Sequence, residues 1–304
     1  MIPQPSNAPI PGSSGDVLAP LAAEVERDLD RRLAAANLPE NLREAVRYSA
    51  LNGGKRLRPA LTLLCCDAVG DDHHKVLPAA GAIELIHCFS LVHDDLPAMD
   101  DDDMRRGRPT LHIHAGEAMA ILAGDVMVSL AFEFLSQAAL EPDRRVAMMN
   151  ELAQATTAMI AGQVYDTLGG FPKSVMNSEL DRLHLIHRNK TGALLRAACR
   201  MGGIGGGANA AQLEALTRYG EAMGLMFQIV DDVLDVTQSA EHIGKATGKD
   251  QSAGKLTFPG LLGVEGSRKE IARLRKAAQD AITILGPRAK PLHDLCETMA
   301  VRTK

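Results

Sequence analysis

Apolar residues recur along this chain at the spacing of helices and almost nowhere at the spacing of strands. Between positions 16 and 36, Val17, Leu18, Leu21, Val25, Leu29 and Leu33 fall mostly three or four apart, which puts them on one helical face. Similar stretches predict helices near 40–51, 59–69, 75–96, 115–138, 143–167, 177–189, 191–202, 209–235, 256–264, 268–285 and 288–301. Between them stand Gly53-Gly54, Gly70, Gly169-Gly170-Phe171-Pro172, the run from Gly202 to Gly207, and Gly286-Pro287, which read as breaks. Two segments, from Met119 to Leu135 and 219–236, are apolar on more than one face. Helices of that kind belong at the centre of an all-α protein. The expected fold class is all-α, a single large helical bundle over residues 16–304. Residues 1–15, rich in Pro, Ser and Gly and without a basic or an apolar region, read as a disordered leader rather than a signal peptide.

Composition narrows the function classes. Of the 304 residues, 46% are hydrophobic and 23% charged, as in ordinary soluble chains. The net charge of -5 argues against a nucleic-acid partner. Five cysteines, an odd number at no metal-binding spacing, fit a reducing compartment. The longest apolar candidate for a membrane span, Ala118 to Leu135, is interrupted by Gly124 and Asp125. The expectation is a cytoplasmic protein without stable membrane insertion.

Charge is nevertheless concentrated. "HDDLPAMDDDDMRRGRP" holds six aspartates in the ten positions from Asp94 to Asp103. Six residues on a continuous helix amount to a rotation of about 240°, so Asp94 and Asp100 would diverge. Pro97 between them disturbs the helix, and a turn there would bring them back together. A second cluster, Asp231, Asp232 and Asp235, lies in "FQIVDDVLDV", 137 residues after Asp94. Asp231 and Asp235, four apart, share a helical face. Two carboxylate clusters, each closing an apolar helix, suggest facing all-oxygen ligand sets of the kind that suit Mg²⁺ or Mn²⁺. Residues 100–111 lack the alternating ligands and central glycine of an EF-hand. Mg²⁺ sites of this kind are commonly completed by substrate phosphates, and phosphate partners are abundant. "GGKRLRP" carries Lys55, Arg56 and Arg58; "MRRGRP" carries Arg105, Arg106 and Arg108; "HRNKTG" carries Lys190 and Thr191. Lys245, Lys249 and Lys255 follow in "IGKATGKDQSAGKLTFP". That last stretch is not a P-loop, because its spacing is one residue too long and no Ser or Thr follows Lys255.

Taken in order, "GGKRLRP", "LVHDDLPAMDDDDMRRGRPTLH", "ILAGD", "GQVYD", "KTG", "FQIVDDVLD" and "GKLTFP" resemble the motifs of the trans-isoprenyl diphosphate synthases, over about residues 45–264. The four residues between Asp95 and Asp100 resemble the spacing in bacterial farnesyl diphosphate synthases and in plant and bacterial geranylgeranyl diphosphate synthases. The resemblance implies helices around a deep central cavity, a homodimer, and Mg²⁺-dependent head-to-tail condensation of isopentenyl diphosphate with an allylic diphosphate. Three ions are implied, with Mn²⁺ able to substitute. Asp94 and Asp100 would bind Mg²⁺ on one side and Asp231 the third ion, with Asp95 and Asp235 supporting. Lys55, Arg58, His87 and Arg106 would hold isopentenyl diphosphate. Arg105, Lys190, Thr191, Gln228, Lys245 and Lys255 would serve the allylic diphosphate, and Gln163 and Thr191 would weakly stabilise a carbocation. Asp94, Asp100, Asp231, Lys190 and Arg105 are thus the expected catalytic set.

Product length is expected to depend on Phe89, five residues before Asp94 and hence about 7.5 Å deeper along a helix. An aromatic there resembles the floor that stops growth at fifteen carbons, which favours farnesyl diphosphate, with geranylgeranyl diphosphate as the alternative. The departures from the family are Ala115, where an aromatic is commoner, and a C-terminus, "ETMAVRTK", without its usual aromatic. A terpene cyclase or a non-catalytic partner subunit fits less well, since no aspartate or basic motif has been lost.

Overall fold

The computed structural model describes residues 17–241 and 256–302. Helices dominate: α1 (Leu18–Ala35), α2 (Glu40–Ala50), α3 (Leu57–Val69), α4 (Leu77–Asp94), α5 (Leu111–Ala115), α6 (Glu117–Ser136), α7 (Pro142–Thr167), α8 (Glu179–His187), α9 (Ala193–Gly205), α10 (Ala210–Glu241), α11 (Phe258–Ala281) and α12 (Lys290–Ala300). A 3₁₀ turn, His73–Val76, leads into α4, and a π-helical turn, Arg188–Gly192, leads into α9. The all-α bundle expected from periodicity is what forms. The predicted segments 256–264 and 268–285 correspond to two helical stretches, labelled together as α11, that meet at a kink at the non-helical Gly263 (φ 70°).

The centre of the bundle is α4, buried from Pro78 to Ile86 without a break. Its apolar sequence leaves no face for water, so its one interior charge, Glu84, needs a partner. Arg56 supplies it. The Arg56 guanidinium is fully buried, donating to Glu84 at 2.7 Å and to the carbonyl oxygen of Ala50 at 2.8 Å. The sequence had grouped Arg56 with the phosphate-binding cations; instead it neutralises a buried carboxylate and pins the entry to α3. α6 runs antiparallel to α4, with Gly124 against His93 at one end and Phe134 against Gly81 at the other. By length and composition α6 and the stretch containing α4 are both apolar enough to cross a membrane, but α4 is mostly interior to the protein.

The break expected in the glycine run at 202–207 falls at its end, where Gly207 has φ 80°. α9 continues through the run to Gly205. A Cβ on Gly202 would sit 2.1 Å from the carbonyl oxygen of Thr62, so glycine here permits α9 to lie directly on α3. Close approach between backbones, not a turn, is the reason for the residue.

Between α4 and α5 the chain makes a two-stranded hairpin, β1 (Met104–Arg105) and β2 (Arg108–Pro109), in antiparallel register. Its two-residue loop, Arg106-Gly107, has positive φ at both positions (51° and 75°), the conformation that matches strand twist in a tight hairpin.

Candidate active site

Two cavities adjoin in the bundle and share Arg58 and His87. One, of about 520 Å³, is lined by Lys55, Arg58, His87 and Arg106 together with Phe227 and Met299. The other, of about 690 Å³, is mainly apolar, and Phe89, Asp94, Gln163, Lys190 and Thr191 line it.

All four residues that the motifs assign to isopentenyl diphosphate thus converge on the first cavity. The backbone explains how. Gly53, Gly54 and Arg56 all have positive φ, so the chain folds sharply before α3, and Arg58 then enters on its first turn. From the hairpin loop Arg106 reaches across and donates to the carbonyl oxygen of Gly53 at 2.5 Å. Burial, and next the nearby Arg302, lower the pKa of Lys55. Burial lowers that of Arg58 as well, and the Arg58 Nε is buried with no hydrogen-bond partner. Lys55 is exposed at the mouth and Arg58 half-buried behind it, so positive charge lines the cavity from its rim inward. His87 is pushed well below its ordinary range, first by burial and then by Arg58 and Arg106. It is therefore a neutral imidazole, a hydrogen-bonding group rather than a third positive charge.

Of the candidate metal-binding aspartates, the second cavity is lined by Asp94. Asp94 is the last residue of α4. Beyond it, Leu96 donates to the carbonyl of His93, and Met99 and Asp101 donate to that of Leu96. The turn at Leu96-Pro97 closes with the amide of Asp100 on the carbonyl oxygen of Asp94 at 2.8 Å. The Asp94 carboxyl is pushed up to about 6, chiefly by burial, with Asp100 adding repulsion and Lys190 opposing both. An oxygen-donor pair with excess, poorly solvated negative charge is a suitable receptor for a hard divalent cation.

Asp95 faces elsewhere. Its buried carboxylate accepts from Arg105 Nε at 2.8 Å and from Nη2 at 2.6 Å. Asp95, expected to support the ions, and Arg105, expected to meet the allylic diphosphate, are here paired with each other, as Lys190 is with Asp166. The physical reason is that consecutive residues at a helix end point in different directions, and burial makes an unpaired Asp95 costly.

Lys190 and Thr191 sit on the π-helical turn. α7 presses against it closely; a Cβ on Gly162 would lie 2.2 Å from the Lys190 backbone nitrogen. Lys190 Nζ pairs with Asp166 at 2.6 Å. Thr191 Oγ1 donates to Gln228 Oε1 at 3.0 Å, Gln228 Nε2 donates to Asp232 Oδ1 at 3.0 Å, and the Phe258 amide donates to Asp232 Oδ2 at 3.1 Å. Asp166 and Asp232 were not assigned roles from the sequence. Both lie in quoted motifs, "GQVYD" and "FQIVDDVLD", and the signal was available: an acid facing a motif cation, and a buried acid one turn after Gln228. The Gln163 amide, by contrast, has its nitrogen and its oxygen buried without partners. Facing an apolar cavity, such a dipole is oriented but unsatisfied.

On α10, Asp231 is paired with Arg302 near the C-terminus, and Arg302 also covers the ring of Phe227, 4.8 Å from its centroid. Asp235 follows one helical turn later. Lys245 and Lys255 lie outside the described residues.

An apolar cavity with Asp94 and Lys190 in its lining, beside a cationic one inside an all-α bundle, suits a molecule with an apolar body and an anionic head. The chain matches the polyprenyl synthetase family over residues 39–283 and belongs to that family. It is 47% identical over 272 residues to geranylgeranyl pyrophosphate synthase 11, chloroplastic, of Arabidopsis thaliana, covering 87% of this chain and 75% of the relative. Among solved structures, an FPP/GFPP synthase from Zymomonas mobilis superposes with a TM-score of 0.80 at 33% identity, covering 93% of this chain and 97% of that one. A geranyltransferase from Legionella pneumophila superposes with a TM-score of 0.81 at 34% identity, covering 93% and 95%. The chain is a prenyltransferase of this family.

Proposed function

We propose that the chain condenses isopentenyl diphosphate with an allylic diphosphate, head to tail, in a Mg²⁺-dependent reaction. The observation that carries this reading is the adjacency of the two cavities: Arg58 and His87 belong to both. A diphosphate among Lys55, Arg58 and Arg106 would direct its hydrocarbon end toward the cavity that holds Asp94 and Lys190.

In that reaction the allylic carbon–oxygen bond breaks, leaving an allylic cation and diphosphate. The isopentenyl double bond attacks the cation, and a proton is then lost to the departing diphosphate. Asp94, Asp100, Asp231 and Asp235 are oxygen donors that fit Mg²⁺; when bound there, it would neutralise the leaving group. Lys190, held by Asp166, supplies fixed positive charge to the same end. Such preoriented charge lowers a barrier most where water is excluded. The Gln163 carbonyl oxygen offers the cation a negative dipole, and the apolar wall from Phe89 to Leu194 keeps out the water that would quench it.

Product length has two readings. The similarity to a geranylgeranyl pyrophosphate synthase supports a twenty-carbon product more than the fifteen-carbon one expected from Phe89. Supporting the shorter product is that Phe89, 7% exposed, lines the apolar cavity, while no residue of α4 earlier than His87 reaches it. Incubation with Mg²⁺, isopentenyl diphosphate and dimethylallyl, geranyl or farnesyl diphosphate, with products separated by mass, decides between them. Elongation of farnesyl diphosphate supports the longer product. No elongation of any primer removes the whole reading.

A second copy of this chain is the proposed partner. α6 exposes Ile121 (44%) and Leu122 (55%) side by side, an apolar strip that a homodimer would cover. Light scattering at the mass of one chain would exclude it.

A further inference from the structure

At the end of α4 opposite Asp94, some 27 Å away by the rise of an eighteen-residue helix, three ligating side chains converge. Glu24 comes from α1, and His73 and His74 from the 3₁₀ turn. His73 Nε2 is 3.4 Å from one Glu24 carboxylate oxygen and His74 Nε2 is 3.3 Å from the other. The three ligand atoms lie within 4.8 Å of one another. Behind them each imidazole has its own carboxylate: Asp67 lies 2.8 Å from His73 Nδ1, and Asp72 lies 2.6 Å from His74 Nδ1.

The second carboxylates set the chemistry. A neutral imidazole that donates its Nδ1 proton to a carboxylate carries a bare lone pair on Nε2. Both Nε2 atoms face Glu24, and His73 Nε2 is buried with no hydrogen-bond partner. The two rings are stacked with centroids 4.6 Å apart, so their Nε2 atoms are presented together to the carboxylate. One divalent ion between the three atoms satisfies all of them.

We infer that Glu24, His73 and His74 form a binding site for a divalent transition metal of the zinc class, separate from the carboxylate site. Two imidazole nitrogens and one carboxylate oxygen, with a position left for water, form a recognised donor set for Zn²⁺. Carboxylate behind a ligating histidine fixes the tautomer and raises ligand basicity. Mg²⁺ prefers oxygen donors, so it does not compete. Zn–N and Zn–O distances near 2 Å require the three side chains to draw inward, which His74, with a side chain 65% exposed, is free to do. The ion would clip α1 to the turn that begins α4, a contact that stabilises the folded chain by mass action.

The test uses untagged full-length protein in millimolar Mg²⁺, titrated with Zn²⁺ by calorimetry and with Co²⁺ by visible absorption. One Zn²⁺ per chain is expected, with d–d bands of nitrogen-ligated Co²⁺ that Zn²⁺ bleaches, and a melting point raised by ~5 °C at saturation. E24Q and H74N should each abolish the Co²⁺ bands, and D72N should weaken Zn²⁺ binding by ~10–100-fold. H74N and D72N alter exposed side chains and should leave the circular dichroism and the rate of prenyl transfer unchanged. D94N, at the other site, should bind Zn²⁺ as the wild type does. Equal Zn²⁺ affinity in the wild type, E24Q and H74N would overturn the assignment, as would loss of the bands in D94N. Absence of prenyl transfer would count against the proposed function and leave this site standing.

Discussion

The amide of Asp100 donates to the carbonyl oxygen of Asp94 at 2.8 Å, and through that one bond a helix end becomes a two-carboxylate site. Asp95, the next residue along from Asp94, is turned into a buried ion pair with Arg105. Burial raises the pKa of both aspartates, but only Asp95 holds an ion pair whose loss would strand a cation. Asp94 has a folded-state pKa of about 6, above its ordinary value of 3.8. Its contribution favours the folded chain below about pH 4 and is lost as pH rises through 6. Removing the charge relieves that cost. D94N is thus expected to melt at or above the wild-type temperature at pH 7.5, while turnover falls by ~100-fold or more, the scale of losing one preorganised electrostatic group. D95N leaves Arg105 partly buried without its carboxylate and is expected to lose ~2 kcal/mol, read as a lower melting point. Equal melting points for the two variants would refute the separation.

The Arg56–Glu84 pair should likewise be structural. Both side chains are nearly inaccessible, and removing Glu84 leaves the buried Arg56 with only the part-exposed Glu26 as a charged partner, at a cost of ~2 kcal/mol, less than for a wholly uncompensated charge. E84Q is expected to unfold at lower denaturant concentration by that amount. The Michaelis constant for isopentenyl diphosphate should change little, because Lys55, Arg58 and Arg106 remain. A large rise in that constant with unchanged stability would instead make Arg56 a substrate ligand.

How far these roles could be read from sequence depended on the range over which each was determined. Helix positions were legible because periodicity is local: the predicted 143–167 is α7 (Pro142–Thr167) and the predicted 40–51 is α2 (Glu40–Ala50). The convergence of Asp94 and Asp100 was legible too, since Pro97 cannot continue a helix. The hairpin at 104–109 was not, because strands of two residues carry no alternation; its cue was the Arg-Gly dipeptide that became a turn with two positive φ values. Arg56 and Arg58 look alike in "GGKRLRP". Their separation depends on Glu84, whose only mark is a single acid inside the apolar run "AAGAIELIHCF". The pairing of Arg302 with Asp231 joins residues seventy-one positions apart by number, with nothing in either neighbourhood to announce it.

Phe89 offers a prediction whose sign is independent of which product the wild type makes. It is buried, edge-on to His93 with centroids 5.7 Å apart, and it lines the apolar cavity below Asp94. F89A should extend that cavity by roughly one aromatic ring, about one isoprene unit of length. The expected outcome is a product spectrum shifted by at least five carbons, measured by mass spectrometry after dephosphorylation. Because the ring already borders open space, the stability loss should fall below the ~3–5 kcal/mol of a fully packed Phe→Ala change. An unchanged spectrum would show that chain growth stops elsewhere.

Arg302 holds the Asp231 carboxylate that a divalent ion would use, so the two cations compete for one anion. Asp231 is partly exposed, its side chain at 37%, which limits the pair to the ~1 kcal/mol of a solvent-accessible ion pair. Replacing Arg302 by Gln should therefore lower the Mg²⁺ concentration for half-maximal rate by about fivefold, the equivalent of that energy. The same variant removes a positive neighbour from Lys55, whose pKa Arg302 helps to depress. The two consequences separate experimentally. Competition at Asp231 appears in the Mg²⁺ titration at saturating isopentenyl diphosphate, whereas the effect on Lys55 appears in the Michaelis constant for that substrate at saturating Mg²⁺. A Mg²⁺ requirement that rises in R302Q would mean that Arg302 organises the site rather than occupying it.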